Sequence, residues 1–542
     1  MISSALFVYL GLVILGVVPS PVPAAFWTFA ADFYAPWVEF WRAYDLGPRT
    51  AHVWPYVGWG MIVVGGLGLR RFLLVPFRYV YWLRWIFGYR SFGNARMARG
   101  SDLRKAGLTK PGGLLLGRSG WRSVFHNGEG HLLTIGGTGG GKSSGLVVPA
   151  LCELTEGSVV VTDPSGELTA MTARRRAEIG PVVFLNPFGG VFEEDTGLSY
   201  PDDGMNLLAH LNPASPNFIS DVGALARLLM VTDRANSESY WKDEGAEFLS
   251  LLIAATLLYE PPDCHDLTFI YRRARDSAEE MEDYLWHLEG KDRAAIADDA
   301  TRFKSMLKDA PQQWQGVISK VALATKRYAP GEPLGVHVAK NGFDVRRLKR
   351  ECVTVYLLVP SSMLPTALPW LNLLFGIFSQ AVAQPGPRSP VTLLLDETPA
   401  LGYLPDLRST MAQNRKAGLR VWIFTQTYAA LAGPQMYGAD GMKELMGLCV
   451  TKQFFAIDEP EVCELVSRMA GQRSIWNPST SGTMGDVGQP LIRPEDVRGL
   501  RKWHQIILRG GMRNPIKGRL VPYFSKKRWR DMVDPNPYLK SR

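Results

Sequence analysis

Cysteine is scarce in this chain. Cys152, Cys264, Cys352, Cys449 and Cys463 are scattered over 542 residues, and none belongs to a Cys-x-x-Cys pair. That spacing argues against a thiolate zinc site and a disulfide scaffold, and leaves reduced thiols buried in a core. Internal repeats and low-complexity tracts are also missing. Acidic residues nearly vanish from two stretches. Residues 70–130 hold twelve Lys/Arg against Asp102 and Glu129, and residues 501–542 hold twelve against two. The formal net charge is only +9, so the remainder of the chain is net acidic. Basic clusters of this kind suit phosphate backbones or acidic lipid, and charge alone does not choose between them.

Formal charge is absent from two long apolar runs, ISSALFVYLGLVILGVV (2–18) and AHVWPYVGWGMIVVGGLGL (51–69). Each has about the length that a bilayer core requires, roughly 17–20 residues. PVPAA loosely suggests a cleavage site after the first run, but a basic n-region is missing, and the second run cannot be a signal peptide. The expectation is a two-helix membrane anchor over residues 1–70. Arg42 and Arg49 are the basic residues between the runs, against the cluster that starts at Arg70. The positive-inside rule then places the N-terminus and the chain after Arg70 in the cytoplasm, with a short periplasmic loop between the helices. RRFLLVPFRYVYWLRWIFGYR (70–90) reads as an interfacial segment on anionic lipid, within a basic membrane-proximal collar over 71–130.

From His131 onward, short apolar runs alternate with helical stretches. HLLTI (131–135), SVVVT (158–162), PVVFL (181–185), VTVYLLV (353–359), VTLLL (391–395), LRVWIFT (419–425) and TKQFFA (451–456) are rich in β-branched residues and nearly free of alternation. That pattern fits strands buried on both faces, joined by helices in a doubly wound parallel α/β sheet. Residues 207–333 break the rhythm with segments of three- and four-residue apolar spacing, as in SYWKDEGAEFLSLLIAATLLYE. They read as an all-α domain inserted into a nucleotide-binding domain over 131–206 and 334–530, with a C-terminal tail over 531–542.

TIGGTGGGKSSG (134–145) satisfies Gly-x-x-x-x-Gly-Lys-Ser through Gly136, Gly141, Lys142 and Ser143. An apolar strand precedes it and a helical stretch follows, which is the context a phosphate loop needs. Backbone N–H groups of Gly136, Gly137, Thr138, Gly139, Gly140, Gly141, Lys142, Ser143 and Ser144 would surround an anion, with the helix N-terminus adding its dipole. Lys142 would reach the β- and γ-phosphates, and the Ser143 hydroxyl would ligate Mg2+. VTLLLDETPALG (391–402) delivers Asp396 and Glu397 to the carboxyl edge of the sheet. Asp396 would hold Mg2+ through water, and Glu397 would orient and deprotonate the attacking water. LRVWIFTQT (419–427) ends in Gln426, a polar tip that either reports loss of the γ-phosphate or caps a helix. The Asn-Lys-x-Asp guanine reader is absent, so ATP is favoured over GTP.

The order of these segments resembles the type IV coupling proteins, the membrane-anchored ATPases of bacterial conjugation and type IV secretion. The resemblance rests on HLLTIGGTGGGKSSGLVVPAL, VVVTDPSGEL (159–168), SYWKDEGAEFL (239–249), LLLDETPALGYLP (393–405), NRKAGLRVWIFTQT (414–427) and QPLIRPEDVRGL (489–500), after two N-terminal membrane helices. It implies a RecA-like domain, a cytoplasmic all-α domain, a homo-hexameric ring in the bacterial inner membrane and contact of the anchor with the secretion channel. It also implies delivery of relaxase-bound single-stranded DNA or effector proteins to that channel. In such rings a neighbour donates an arginine to the transition state, and Arg415 matches that position. The family frequently has Lys in Asp-Pro-Lys-Gly-Glu, where this chain has Asp163-Pro164-Ser165-Gly166-Glu167. Asp163 follows a buried strand and could still hold a water or the metal, while Ser165 is left without a role.

Two other readings compete. A septal double-stranded DNA translocase shares the anchor and the motor, but its long linker and winged-helix reader are not visible. A non-hydrolysing receptor would use ATP only to hold a ring that docks the relaxase complex, and the intact Glu397 argues against it. An ABC ATPase would need an LSGGQ-like signature before the acidic strand, and none precedes LLLDE.

Overall fold

The computed structural model describes residues 59–67, 92–230, 239–384, 386, 389–477 and 485–539. The described residues before Asn94, with 474–477 and 485–488, form a unit of their own, and the rest form a second, larger one. In the first unit residues 59–67 are helical, and Trp59, Val63, Val64 and Leu67 are exposed on that helix. The other positions of the two apolar runs, and the interfacial segment to residue 90, lie outside the described residues.

The larger unit is built on one sheet. In chain order the strands are β1 (Leu114–Ser119), β2 (Arg122–His126), β3 (His131–Gly136), β4 (Ser158–Thr162), β5 (Val182–Leu185), β6 (Thr354–Leu357), β7 (Val391–Leu395), β8 (Leu419–Thr425) and β9 (Cys449–Phe455). β10 (Gln472–Asn477) and β11 (Gly485–Pro490), which belong mostly to the smaller unit, come next, and β12 (His504–Arg509) and β13 (Ile516–Arg519) follow. Eleven of them align in the order β2-β1-β13-β12-β9-β3-β8-β7-β4-β6-β5, while β10 and β11 pair with each other. From β9 to β5 all neighbours are parallel, and β12, β13, β1 and β2 form an antiparallel wing beyond β9.

The seven apolar runs all become parallel strands, and their lack of alternation has a direct cause. Leu133, Val160, Leu393 and Val421 point into the core on one face, and their chain neighbours Leu132, Val161, Leu394 and Trp422 point into the core on the other. With both faces covered, apolar residues are wanted on both and the alternation fades. The antiparallel wing was not expected from the sequence. β1 and β2 fall within the basic stretch 71–130, and β13 alternates buried and exposed residues over IKGR, too short a run to stand out.

Between β5 and β6 lie the helices Phe218–Leu229, Ser239–Tyr259, Leu267–Arg273, Ala278–Glu289, Ala294–Asp309 and Pro311–Thr325. The stretch TFIYRRARDSAEEMEDYLWHL (268–288) forms parts of two helices. Ser277 caps the second, accepting from the Glu280 N–H at 3.2 Å while the Glu280 carboxylate accepts from the Ser277 N–H at 2.8 Å. Phe248, Phe303 and Trp314 lock three of the helices together, with ring centroids 4.9 Å apart in both edge-on pairs. The helix Leu364–Ala383 is long and apolar enough to cross a membrane by composition. Trp370, Leu374, Ile377 and Phe378 on it are fully buried in the protein, so its hydrophobicity serves the core.

Candidate functional site

β3 ends at Gly136, and the chain turns back over its end before a helix that opens with a π-helical turn, Ser143–Val147, and continues as Val148–Glu153. The turn lies so close to its surroundings that side chains cannot be accommodated. A Cβ on Gly137 would lie 2.1 Å from the Ala456 carbonyl oxygen. Gly141 has φ +86°, and a Cβ there would lie 2.1 Å from the Trp503 ring. Glycine is required at both positions, and the result is a bare backbone concavity at a helix start.

β8 lies between β3 and β7, so the ends of all three strands converge. Thr138 Oγ1 donates to Gln426 Oε1 at 2.8 Å, and Gln426 Nε2 donates to Glu397 Oε1 at 3.1 Å. Lys142 Nζ lies 2.8 Å from Asp396 Oδ1 and 3.6 Å from Glu397 Oε1. Asp396 is tied to β4 through its backbone N–H, which donates to Thr162 Oγ1 at 2.9 Å. Lys142, Thr138, Asp396, Glu397 and Gln426 therefore form one bonded network, and Gly139, Gly140, Ser143 and Ser144 line the same cavity.

Burial pushes the Asp396 carboxyl above the usual carboxylate range, and the Lys142 ammonium opposes that shift. Beyond their ion pair, Asp396 Oδ1 and Lys142 Nζ are buried without a hydrogen-bond partner. A buried carboxylate compensated by one cation, next to a chain segment bearing the Ser143 hydroxyl, fits a hard oxygen-seeking ion such as Mg2+. The bare backbone concavity beside it fits a phosphate chain.

Strain is concentrated here. The non-glycine residues with positive φ among those described are Glu397 (+50°), Ala456 (+50°) and Trp503 (+68°), and all three border the phosphate loop. Such conformations cost about 1–3 kcal/mol each and persist where the surroundings enforce them.

Two expected residues stand outside this bonded network. Asp163 is buried, and its Oδ2 accepts from the Thr169 N–H and the Thr169 hydroxyl, both at 2.7 Å. Ser165 donates to Asp163 Oδ1 and accepts from the Glu167 N–H, each at 3.3 Å, so the pair caps the helix Glu167–Ala177. Burial raises the Asp163 pKa to about 6. Arg415 is exposed just before β8, whereas Gln426 follows its end. Seven strand residues separate the two, roughly 20 Å. Arg415 is therefore at the opposite edge of the sheet from its own phosphate loop.

The cavity measures about 510 Å3 and includes residues outside the expected set. Glu167, Lys502 and Trp503 border it, as do Tyr523, Phe524, Asn536 and Leu539. The available signal was proximity: Glu167 ends the Asp-Pro-Ser-Gly-Glu segment, and Trp503 follows closely on QPLIRPEDVRGL.

Comparison with known proteins gives a consistent picture. The family model described as Type IV secretory system Conjugative DNA transfer matches residues 96–541. The chain is 24% identical over 538 residues to Protein VirD4 of Agrobacterium fabrum, covering 91% of this chain and 74% of that protein. It is 24% identical over 467 residues to the conjugal transfer protein TraG of Escherichia coli, covering 74% and 70%. Among solved structures it resembles the bacterial conjugative coupling protein TrwBdeltaN70, with TM-score 0.58 and 17% identity over 80% of this chain and 95% of that one. TrwB solved in complex with ADP and Mg2+ gives TM-score 0.55 at 17% identity, over 79% and 94%. The α/β fold with its large parallel sheet is thus that of TrwB. The chain belongs to the type IV secretory system conjugative DNA transfer family.

Proposed function

We propose that this chain is an inner-membrane coupling ATPase that brings relaxase-bound single-stranded DNA or effector proteins to a type IV secretion channel and drives their transfer by hydrolysing ATP. The observation that carries the reading is the bonded network of Thr138, Lys142, Asp396, Glu397 and Gln426 at the rim of a glycine-lined cradle. The family membership supports the coupling role, and the nucleotide-bound forms of TrwB support ATP and Mg2+ as ligands.

Each residue then has a task. The backbone from Gly136 to Ser144 binds the phosphate chain, and Lys142 turns from the carboxylates to the phosphates. Ser143 and Asp396 would hold Mg2+, which neutralises developing charge on the phosphates when bound. Glu397 is half-exposed at the cavity rim, where it would orient the attacking water and accept its proton. Gln426 bridges the loop and the base, so it is placed to register the γ-phosphate. The exposed apolar helix at residues 59–67 supports a membrane anchor in the N-terminal region. A homo-hexamer with nucleotide between subunits accounts for the distance of Arg415 from its own loop.

The test is ATP hydrolysis by the full-length detergent-solubilised protein, with and without single-stranded DNA, beside Lys142→Ala. DNA-stimulated turnover that Lys142→Ala abolishes is expected. Binding of ATP and DNA with turnover no higher than the Lys142→Ala background would replace the motor with a docking receptor.

A further inference from the structure

A phosphate cradle binds only the anionic end of a nucleotide, and the cavity extends beyond it to an aromatic wall. Trp503 packs on Gly141 and Gly145 of the loop and stands edge-on to Phe524, with ring centroids 6.2 Å apart at 77°. Tyr523 braces Phe524 from another direction, 5.4 Å away at 79°. Phe524 itself remains 50% exposed, a held but uncovered ring. Trp503 reaches its place only through a left-handed backbone that a bulky residue rarely adopts, fixed by the Leu520 N–H donating to the Trp503 carbonyl at 2.7 Å.

The last described residues are clamped beside this wall. The Asp534 N–H donates to the Met171 carbonyl at 3.0 Å, and the Asp534 carboxylate pairs with Arg174 at 2.8 Å. Asn536 Nδ2 donates to Glu167 Oε1 at 2.6 Å, and the Tyr538 hydroxyl donates to the Ser165 carbonyl. Trp529, just upstream, is buried and donates through Nε1 to Glu153 Oε1 at 2.7 Å. These bonds hold Asn536 and Leu539 at the cavity edge, on the helices that follow β3 and β4.

We propose that Trp503, Phe524 and the segment 534–539 form the base-binding wall of the nucleotide site and take a purine ring stacked on Phe524. The proposal rests on the nucleotide reading above and assigns a ligand-binding role to residues beyond the phosphate loop and the acidic pair. It also explains why a strained tryptophan and a half-exposed phenylalanine stand together at the cavity.

The experiment measures binding of radiolabelled ATP to the full-length detergent-solubilised protein, with unlabelled ATP, CTP and inorganic tripolyphosphate as competitors. ATP should compete about tenfold better than tripolyphosphate, the scale of one base–aromatic stack, with CTP weaker than ATP. Phe524→Ala should erase most of the advantage of ATP while leaving tripolyphosphate competition unchanged, and Phe524→Tyr should retain it. Equal competition by ATP and tripolyphosphate in the wild type, or an unchanged ratio in a folded Phe524→Ala, would overturn the proposal while leaving the phosphate site standing. Equal competition by ATP and CTP would overturn the purine assignment. If neither ATP nor tripolyphosphate binds, and Lys142→Ala changes nothing, the nucleotide reading fails and the wall falls with it.

Discussion

At the residue scale, the chemistry depends on a few side chains held in unfavourable backbone. Glu397 sits at φ +50° so that its carboxylate meets Gln426 and Lys142 together. Glu397→Gln keeps the shape and removes the proposed proton acceptor. ATP binding should persist while turnover falls by about 10²–10⁴-fold, measured by equilibrium binding beside steady-state hydrolysis. Gly141→Ala fails for a different reason. Its φ of +86° strains any side chain, and the new Cβ would meet the Trp503 ring at 2.1 Å. Loss of ATP binding is expected, with about 1–3 kcal/mol of stability lost in thermal unfolding. The loop, Lys142 and the Asp396-Glu397 pair were legible in the sequence because each is a local word with a local strand before it. Trp503 was not. Its position depends on a strained backbone and on packing against glycines 360 residues earlier in the chain, and single-residue preference argues against both.

At the element scale, periodicity identified strands buried on two faces and missed those that are not. β4 and β7 are buried throughout, whereas β2 buries only its last three residues and β13 every second one. The wing is nevertheless fastened to the parallel sheet by buried polar groups. His126 on β2 contacts Thr451 on β9 at 3.2 Å and Arg509 on β12 at 2.9 Å, and its other ring nitrogen faces the Gly130 carbonyl. Burial, with the Arg509 and Arg420 charges, lowers the His126 pKa from 6.5 to about 3. Between those values only the unfolded chain takes up the proton, so this histidine's contribution is full above about pH 6.5 and is lost as the pH falls toward 3. His131 on β3, lowered to about 4, acts in the same direction. Buried Asp163, raised to about 6, acts in the opposite direction over the same range, so the comparison is between variants: His126→Asn should lose less melting temperature than the wild type from pH 7 to pH 5 while starting lower at pH 7. Equal slopes in the two proteins would contradict the assignment.

At the scale of the whole molecule, the position of Arg415 bears on the proposed ring. About 20 Å of strand lies between it and its own loop, so any catalytic work it does falls on another copy. If the proposed ring forms, mixing Lys142→Ala with Arg415→Ala should restore part of the activity that each lacks alone, because some of its interfaces would pair an intact loop with an intact arginine. A mixture as inactive as its components would place the arginine outside catalysis. A neighbour's arginine can be worth about 10³–10⁵ in rate, so even a small fraction of repaired interfaces is measurable.

The strand order has a further consequence, for biosynthesis. β3 finds its partners β8 and β9 only after a long interval, as the bond from the Val421 N–H to His131 across 290 residues records. At 5–20 residues per second the ribosome needs about 15–60 s to supply them. Throughout that time a strand that is fully buried in the finished protein waits with both edges open, and the wing cannot close until β12 and β13 have followed. The nascent chain is thus a natural client for chaperones, and its yield should respond to translation speed more than the stability of the finished protein would suggest.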